Sequence, residues 1–253
     1  MRERDLVGRA DRFIVEGEVV LRVFLTRSPF QAESLLLAES RVDGLSDLLA
    51  TLPEEVPVYN AGRAVMDAIV GFPIHRGILA VGRRSGAVAA GTLLARLPDR
   101  ALVVGLVGLA NHDNVGGIFR NAAAFGVDAV LLDPGTCDPL YRKAIRVSVG
   151  GSLIVPFARA RSADELALEL GKAGFDIIAL SPSGDEVLSR VRRKPRTALL
   201  LGAEGPGLPQ ELLSRTRSVS IPMSSGFDSL NVATTSGIAL HHLAATASLD
   251  SSD

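Results

Sequence analysis

Short apolar runs alternate with stretches of helical spacing along most of the chain. In the first 84 residues, four apolar runs predict strands, and the apolar positions of residues 18–26 predict a helix that ends before Pro29. Pro57 cannot donate to a strand ladder, so its run predicts an edge strand. Asn60 is expected to cap a second helix that ends near Val70. The four predicted strands are residues 13–16, 35–38, 56–59 and 78–81.

Residues 83–99 lack this alternation of apolar runs and helical spacing. They indicate a linker that could contain a short helix. The next run, 101–107, is continuously apolar and typical of a strand buried on both faces. Strands and helices then alternate to residue 246, which predicts a mostly parallel sheet covered by helices on both faces. The further predicted strands are 128–132, 153–157, 175–180, 197–201 and 218–221, and the helices are 115–125, 139–146, 163–173, 209–214 and 230–246. The predicted organisation is an N-terminal domain of residues 1–84, a linker of residues 85–99 and a second domain of residues 100–253.

Composition favours a globular protein with its own core, because 47% of the 253 residues are hydrophobic and 22% are charged. No apolar run reaches the roughly 18–20 residues that a membrane span needs, and the N-terminus lacks the apolar core of a signal peptide. The single cysteine, Cys137, excludes an internal disulfide and fits a reducing cytoplasm. The four histidines lack the spacing of metal ligands, so no metal site is predicted.

The net charge of −1 argues against a chain that binds polyanions over its whole surface. Its basic residues are nevertheless almost all arginine, since only three of the 27 are lysine, and arginine binds phosphate groups bidentately. Two clusters are candidates for such contacts, or else solvated charged faces. The first is Arg142, Lys143 and Arg146, and the second is residues 190–196.

Three segments rich in glycine and small polar residues each follow an apolar strand in the second half of the chain. They are residues 111–126, 201–208 and 221–232. Open α/β sheets bind their ligands at the ends of such strands. Three of these places in one domain indicate an active site assembled from loops that are distant in sequence.

In the first segment, Asn114 is suited to cap a helix, and Arg120 follows two turns later. A helix N-terminus with a nearby arginine is a natural site for phosphate or carboxylate, although a capped helix with an exposed arginine fits equally well. His112 lies in the same segment and could contact a substrate. In the second segment, three glycines around Glu204 suggest backbone wrapped on a ligand; the sequence is neither a P-loop nor the dinucleotide fingerprint.

The third segment leaves a strand at Ile221 and opens a helix rich in small apolar residues at Ser229. Ser229 can be the helix cap, whereas Asn231, inside the predicted first turn, is harder to explain as one. The chain also lacks the Gly-x-Ser-x-Gly elbow of a serine hydrolase.

Taken together, these segments resemble the three motifs of the SpoU/TrmH family of RNA ribose 2′-O-methyltransferases, in the SPOUT superfamily. The family motifs are Asn-x-Gly-x-x-x-Arg-x-x-x-x-Phe-Gly, Gly-x-Glu-Gly-x-Gly, and Ile-Pro-Met followed by Ser-Leu-Asn-Val. They match residues 114–126, 202–207, 221–223 and 229–232. Order and spacing fit over about residues 101–246, and residues 10–82 resemble more weakly the family's substrate-binding domain, which is similar to a ribosomal-protein fold. The chain departs from the family at Asn121, where threonine is common, and at Ser224-Ser225. These departures affect the prediction of the substrate more than the prediction of the activity.

The resemblance implies an α/β fold with a C-terminal parallel-sheet domain tied in a trefoil knot, which topology rules alone would not predict. The knot would bring the second and third segments together around S-adenosylmethionine, held largely by backbone. The residues implied for this cofactor are Gly202, Gly207, Ile221, Met223, Leu230 and Ser181. The family also implies a homodimer through the C-terminal domain, with the terminal helix in the interface and RNA entering between the subunits.

The implied reaction transfers a methyl group from the sulfonium to a ribose 2′-hydroxyl, which loses its proton as it attacks. The family assigns the counterpart of Arg120 as general base. Because arginine stays protonated in nearly all protein environments, anchoring the adjacent phosphate is physically easier, and both roles stay open. Asn114, Glu204, Ser229 and Asn231 would orient Arg120 and the ribose.

Two other functions are compatible with the sequence: a non-catalytic RNA-binding or ribosome-associated protein that keeps the knot, and an unknotted α/β enzyme that uses a nucleotide cofactor. The chain has two tyrosines, nine phenylalanines and no tryptophan. With so few aromatic rings, recognition of ribosomal or transfer RNA would depend on RNA shape and phosphate contacts more than on base stacking.

Overall fold

The computed structural model describes residues 11–70, 76–84, 86–224 and 229–249, with no account of the side chains of residues 70 and 247–249. The expectations for the N-terminus, for His75, for Ser225 and for the end of the tail therefore lie outside the described residues. By its internal contacts the chain forms two compact units. The first comprises residues 1–86 and 138–154, and the second comprises residues 87–137 and 155–253.

The described elements follow the predicted alternation. The helices are α1 Glu18–Arg27, α2 Ser46–Leu49, α3 Arg63–Val70, α4 Ala90–Leu94, α5 His112–Ala124, α6 Arg142–Val147, α7 Ala163–Lys172, α8 Gln210–Leu213 and α9 Val232–Leu249. The strands are β1 Arg12–Glu16, β2 Gln31–Ala38, β3 Val58–Ala61, β4 Ile78–Arg83, β5 Ala101–Val107, β6 Ala129–Leu132, β7 Phe157–Arg159, β8 Asp176–Leu180, β9 Glu186–Val187, β10 Arg196–Gly202 and β11 Arg217–Ser220. Single 3₁₀ turns lie at Glu39–Arg41, Asp43–Leu45, Gly151–Leu153 and Leu188–Arg190.

The first unit contains a four-stranded mixed sheet in the order β1-β4-β2-β3. β3 lies at the edge, as Pro57 predicts. The cap predicted at Asn60 is wrong, because Asn60 pairs with Leu37 in the ladder between β2 and β3, and α3 begins only at Arg63.

The core of this unit is built around Phe13, whose ring contacts Phe24 edge to face at 5.5 Å between ring centroids. Gly82 on the neighbouring strand leaves room for the same ring, because a Cβ at Gly82 would lie 2.3 Å from Phe13 Cζ. The aromatic cluster therefore depends on a glycine in β4.

The segment 138–154 belongs by contact to the first unit, although its sequence position is within the predicted second domain. Asp138 accepts two hydrogen bonds from Arg84 at 2.8 and 2.9 Å, and Gly150, with φ of +83°, packs against Val23. The strand predicted over residues 153–157 is wrong at its start. The left-handed turn at Gly150 leads into a 3₁₀ turn, and β7 begins only at Phe157.

The second unit contains seven strands in the order β7-β6-β5-β10-β8-β11-β9, all parallel to their neighbours. This confirms the predicted parallel sheet. All seven residues of β5 are buried at its centre, as the continuous apolar run predicts. α4 lies in the predicted linker, but it buries Ala90 and Leu94 in the core of this unit. The short strand β9 was not predicted, and no helix among the described residues is long and apolar enough to cross a membrane.

Candidate functional site

A cavity of about 330 Å³ lies at the carboxyl ends of β8, β10 and β11, beside the start of α9. All six residues that the family resemblance implies for cofactor binding line it: Ser181, Gly202, Gly207, Ile221, Met223 and Leu230. Glu204, Ser229 and Asn231 line the same cavity. The structure thus brings the second and third segments together, and binding of a cofactor by these residues stays a prediction.

Residues 202–207 form one wall of the cavity as a tight glycine turn. The Gly207 amide donates to the Ala203 carbonyl at 2.9 Å, and Gly205 and Gly207 have φ of +85° and +71°. A Cβ at Gly202 would lie 2.3 Å from the carbonyl carbon of Gly207. The turn therefore folds back on the end of β10, and only glycine at position 202 permits this approach.

Asn231 connects all three segments through one side-chain amide. Its Oδ1 accepts hydrogen bonds from the amides of Ala233 at 2.9 Å and Thr234 at 3.2 Å, which makes it the cap of α9. Because only the oxygen can accept from two amides, the NH₂ group faces the other way. It donates to Asn114 Oδ1 at 2.9 Å and to Glu204 Oε1 at 3.1 Å.

The residues that cap α5 and α9 therefore differ from the predicted caps, Asn114 and Ser229. Asn111, not Asn114, caps α5, because its Oδ1 accepts from the Asp113 amide at 2.9 Å. Asn114 lies one turn later, buried, and is free to bind the cap residue of α9 instead. Ser229 lines the cavity, and the cap of α9 lies two residues further on, at Asn231.

α5 and α9 approach closely below this hydrogen-bonded group. A Cβ at Gly117 would lie 2.7 Å from Ala233 Cβ. Asn121 Nδ2 donates to the Ala233 carbonyl at 2.7 Å and to Ser236 Oγ at 2.8 Å. The residue that departs from the family pattern, Asn121, therefore helps to fix the first segment against the third.

Arg120 lies outside the lining of this cavity. It is exposed on α5, and its side chain makes no hydrogen bond or ion pair with any residue that the structure describes. Successive helix residues are turned by about 100°, so Arg120 points away from the line of Asn114 and Asn121 that faces α9. His112 begins α5 and is half-buried outside the cavity lining.

The predicted RNA-binding residues lie on α6 of the first unit, whereas the cavity belongs to the second unit. Arg142 has a guanidinium nitrogen 3.9 Å from a Glu16 carboxylate oxygen, while Lys143 and Arg146 are exposed. In the other basic cluster, Lys194 pairs with Asp176 at 2.7 Å, and Arg196 donates to the Pro98 carbonyl at 2.7 Å. Two of the five basic residues of that cluster therefore have a structural role.

The sequence did not single out every residue of the cavity. Leu201, Ala203, Gly205 and Val232 lie in the second and third segments, and the lining residues outside all three segments are Leu180, Pro182, Val219 and Thr235. Most of them flank the ends of predicted strands, and this position in sequence was the available signal. Within the described residues, no group of three acidic, histidine or cysteine side chains could hold a metal ion.

We expect Asn231→Ala to lower the free energy of unfolding by about 1 kcal/mol, because it removes the cap of α9. Asn231→Asp keeps an oxygen for the capped amides but loses the NH₂ donor and places a second carboxylate beside Glu204. We expect it to keep the cap and to lose the contact with Asn114. Urea unfolding of both variants measures this. If alanine cost nothing, Asn231 would not be a stabilising cap.

Comparison with known proteins gives consistent results. The model of the SpoU rRNA Methylase family matches residues 101–241. An uncharacterized tRNA/rRNA methyltransferase of Mycobacterium bovis is 40% identical over 95% of this chain and 83% of that protein. The 23S rRNA (guanosine-2′-O-)-methyltransferase RlmB of Salmonella typhimurium is 28% identical over 90% of this chain and 96% of its own length.

Solved structures share the fold. The SpoU methyltransferase AviRb of Streptomyces viridochromogenes, in complex with the cofactor AdoMet, superimposes with a TM-score of 0.83 at 21% identity, over 98% of this chain and 94% of its own. An AdoMet-bound rRNA methyltransferase of Sinorhizobium meliloti gives 0.79 at 23% identity, over 94% of this chain and 88% of its own. At these sequence identities, the structural similarity shows a shared fold and nothing further.

Proposed function

Because the chain belongs to the SpoU rRNA methylase family, we propose that it is an S-adenosylmethionine-dependent enzyme that methylates a ribose 2′-hydroxyl of ribosomal or transfer RNA. The observation that carries this proposal is the cavity lined by Glu204 and Asn231, whose side-chain amide also binds the buried Asn114. Its site of action would be the cytoplasm, where such RNA is processed. The non-catalytic alternative has no observation in its favour.

The chemistry of the cavity suits S-adenosylmethionine. The glycine turn offers backbone groups at its surface, and Ile221 and Leu230 supply apolar contact for a base and a methionyl chain. Glu204 provides a carboxylate beside them, which favours a cation such as a sulfonium or an ammonium group. When bound, the cofactor would supply an activated methyl group.

The residues around the cavity would position the accepting ribose. Asn231 fixes Asn114 and Glu204 relative to each other, so the NH₂ donor of Asn114 and the second carboxylate oxygen of Glu204 are held in a defined geometry. Arg120, exposed and without a partner among the described residues, is left to bind RNA. It would either take the proton of the 2′-hydroxyl or hold the neighbouring phosphate bidentately.

We further propose that the C-terminal unit is tied in the trefoil knot of the family. A close approach of two backbone segments that are distant in sequence supports this: a Cβ at Gly184 would lie 2.4 Å from the Val219 carbonyl carbon. A crystal structure in which the C-terminal segment passes through no loop of the chain would contradict the knot.

We also propose a homodimer through the C-terminal unit. α9 exposes Thr234, Ile238, His241 and Ala245, which recur at helical spacing and form one stripe along the helix. Ile238, which is 41% exposed, places an apolar side chain in the middle of this stripe. In such a dimer, Arg120 of one protomer could serve the cofactor held by the other.

We expect Ile238→Asp to convert the dimer into a monomer, because two aspartates would be buried at a self-complementary interface. Analytical ultracentrifugation measures the change. The exposed Leu168 on α7, 56% exposed, provides a matched control, and Leu168→Asp should leave the dimer intact. A wild-type protein that sediments as a monomer would refute the homodimer.

The proposed activity is tested by titrating S-adenosylmethionine into the full chain and then measuring transfer of labelled methyl groups onto bulk ribosomal and transfer RNA. Binding and transfer together support the enzyme. Mapping 2′-O-methyl positions in host RNA with and without the gene would identify the nucleotide. Binding of RNA without cofactor binding or transfer would favour the non-catalytic alternative.

A further inference from the structure

The first unit has a hollow of its own, with a volume of about 350 Å³, between the 3₁₀ turn at Glu39–Arg41, the start of α3 and the start of β4. Three arginines line it: Arg41, Arg63 and Arg76. The strand ends Ala38 and Ala61 and the side chain of Met66 form an apolar part of its wall, and Met66 is fully buried.

What distinguishes these three arginines is that they line one hollow; Arg27 and Arg146 of the same unit also lack a partner among the described residues but lie outside it. Each of the three is exposed, and none has a side-chain hydrogen bond or ion pair with a described residue. Other arginines of the unit are paired with acids: Arg12 and Arg83 with Glu33, Arg22 with Asp47, and Arg84 with Asp138. Glu39 also lines the hollow without pairing with them, so three arginines and one glutamate give its lining a net charge of +2.

The surrounding backbone fixes the shape of this hollow. Gly77 has φ of +64°, and a Cβ there would lie 2.8 Å from Ala38 Cβ, so the chain turns tightly beneath Arg76. The Arg76 side chain extends over Gly17, since a Cβ at Gly17 would lie 2.9 Å from Arg76 Cδ. The position of this arginine is therefore set by two glycines rather than by an acidic partner.

We propose that this hollow binds one nucleotide unit of single-stranded RNA, with the phosphodiester on Arg41, Arg63 and Arg76 and the ribose or base against the apolar wall. Guanidinium groups without acidic partners are the preferred ligands of phosphate oxygens. Ala38, Ala61 and Met66 offer the apolar contact that a ribose or a base face accepts. The proposal deepens the proposed function, because it supplies the first unit with a specific contact to the RNA substrate.

The test compares two triple variants of the full chain. One is Arg41→Ala, Arg63→Ala, Arg76→Ala. The control is Arg22→Ala, Arg27→Ala, Arg83→Ala, which removes the same charge from positions of the same unit outside the hollow. Fluorescence anisotropy measures binding of labelled oligouridylate and of purified ribosomal RNA over a series of KCl concentrations, and S-adenosylmethionine binding is measured in parallel.

We expect the hollow variant to bind both RNAs at least ~10-fold more weakly than the control variant does. The slope of log affinity against log salt should fall by about 0.7, since the contact to one phosphate of a single strand is lost. S-adenosylmethionine binding should not change. Arg63→Glu adds a variant that favours the start of α3, because a negative charge is favourable in the first turn of a helix. It too should weaken RNA binding.

Equal RNA affinity and salt slope for the hollow variant and the wild type would overturn the proposal, and so would an equal loss in the control variant. Either result leaves the proposed function standing if the wild type transfers methyl groups to RNA. Conversely, the wild type could bind RNA through the hollow but neither bind S-adenosylmethionine nor transfer methyl groups. That result would refute the proposed methyltransferase activity and support RNA binding by the hollow.

Discussion

Arg120→Ala is expected to reduce methyl transfer to RNA by at least ~10-fold while S-adenosylmethionine affinity stays at the wild-type value. The guanidinium lies outside the lining of the cavity and is exposed, so its loss should not disturb the cofactor. Single-turnover transfer of labelled methyl groups, with cofactor binding measured separately, distinguishes the two effects. Arg215→Ala is the matched control, since Arg215 is an exposed arginine of the same unit in a loose surface pair with Asp164.

The size of this effect separates the two roles of Arg120. A lost phosphate anchor costs about 1.5–3 kcal/mol, or roughly 10- to 150-fold, and Arg120→Lys should recover part of it because lysine also binds phosphate. A lost general base costs ~10²–10⁴-fold in the chemical step. With alanine, solvent hydroxide would have to replace the base, so the residual rate should rise with pH. Wild-type transfer by Arg120→Ala would remove Arg120 from the mechanism.

The strands of this fold could be predicted because their apolar runs are local. β5 and β10 are buried along nearly their whole length at the centre of the sheet, and such strands are continuously apolar in sequence. The start of β7 could not be predicted. The chain before it turns at Gly150, a left-handed residue that packs on Val23, and Val23 is distant in sequence. The grouping of residues 138–154 with the N-terminal sheet depends on similar long-range contacts.

The candidate site was predictable as a set of residues but not as a set of contacts. Spacing identified Asn114 and Asn231 as unusual, yet asparagine can cap a helix or bind another side chain, and sequence cannot distinguish the two. Asn111 takes the cap of α5 and so releases Asn114, while Asn231 caps α9 and binds Asn114 with its other end. Only the packing of α5 on α9 determines which of these asparagines caps a helix and which binds another side chain.

Gly202→Val is expected to weaken S-adenosylmethionine binding by at least ~10-fold and to abolish detectable methyl transfer. The added Cβ would lie 2.3 Å from the Gly207 carbonyl carbon and 2.4 Å from the Leu208 amide nitrogen. Both obstacles are backbone atoms, so no side chain can rotate away, and overpacking of this kind costs ~1–3 kcal/mol if the turn stays closed. The turn will open instead and withdraw one wall of the cavity. Isothermal titration calorimetry measures the loss.

Gly171→Ala provides the control for Gly202→Val. Gly171 lies in α7 of the same unit, and a Cβ there would meet no heavy atom within 4 Å. Alanine at this position should stabilise the helix by ~0.5–1 kcal/mol and leave cofactor binding unchanged. The comparison also tests the alternative of an unknotted enzyme with a nucleotide cofactor held elsewhere, which requires Gly202→Val to bind its cofactor normally. If Gly202→Val bound S-adenosylmethionine like the wild type, the glycine turn would not be the cofactor site, because its geometry cannot accommodate the valine unchanged.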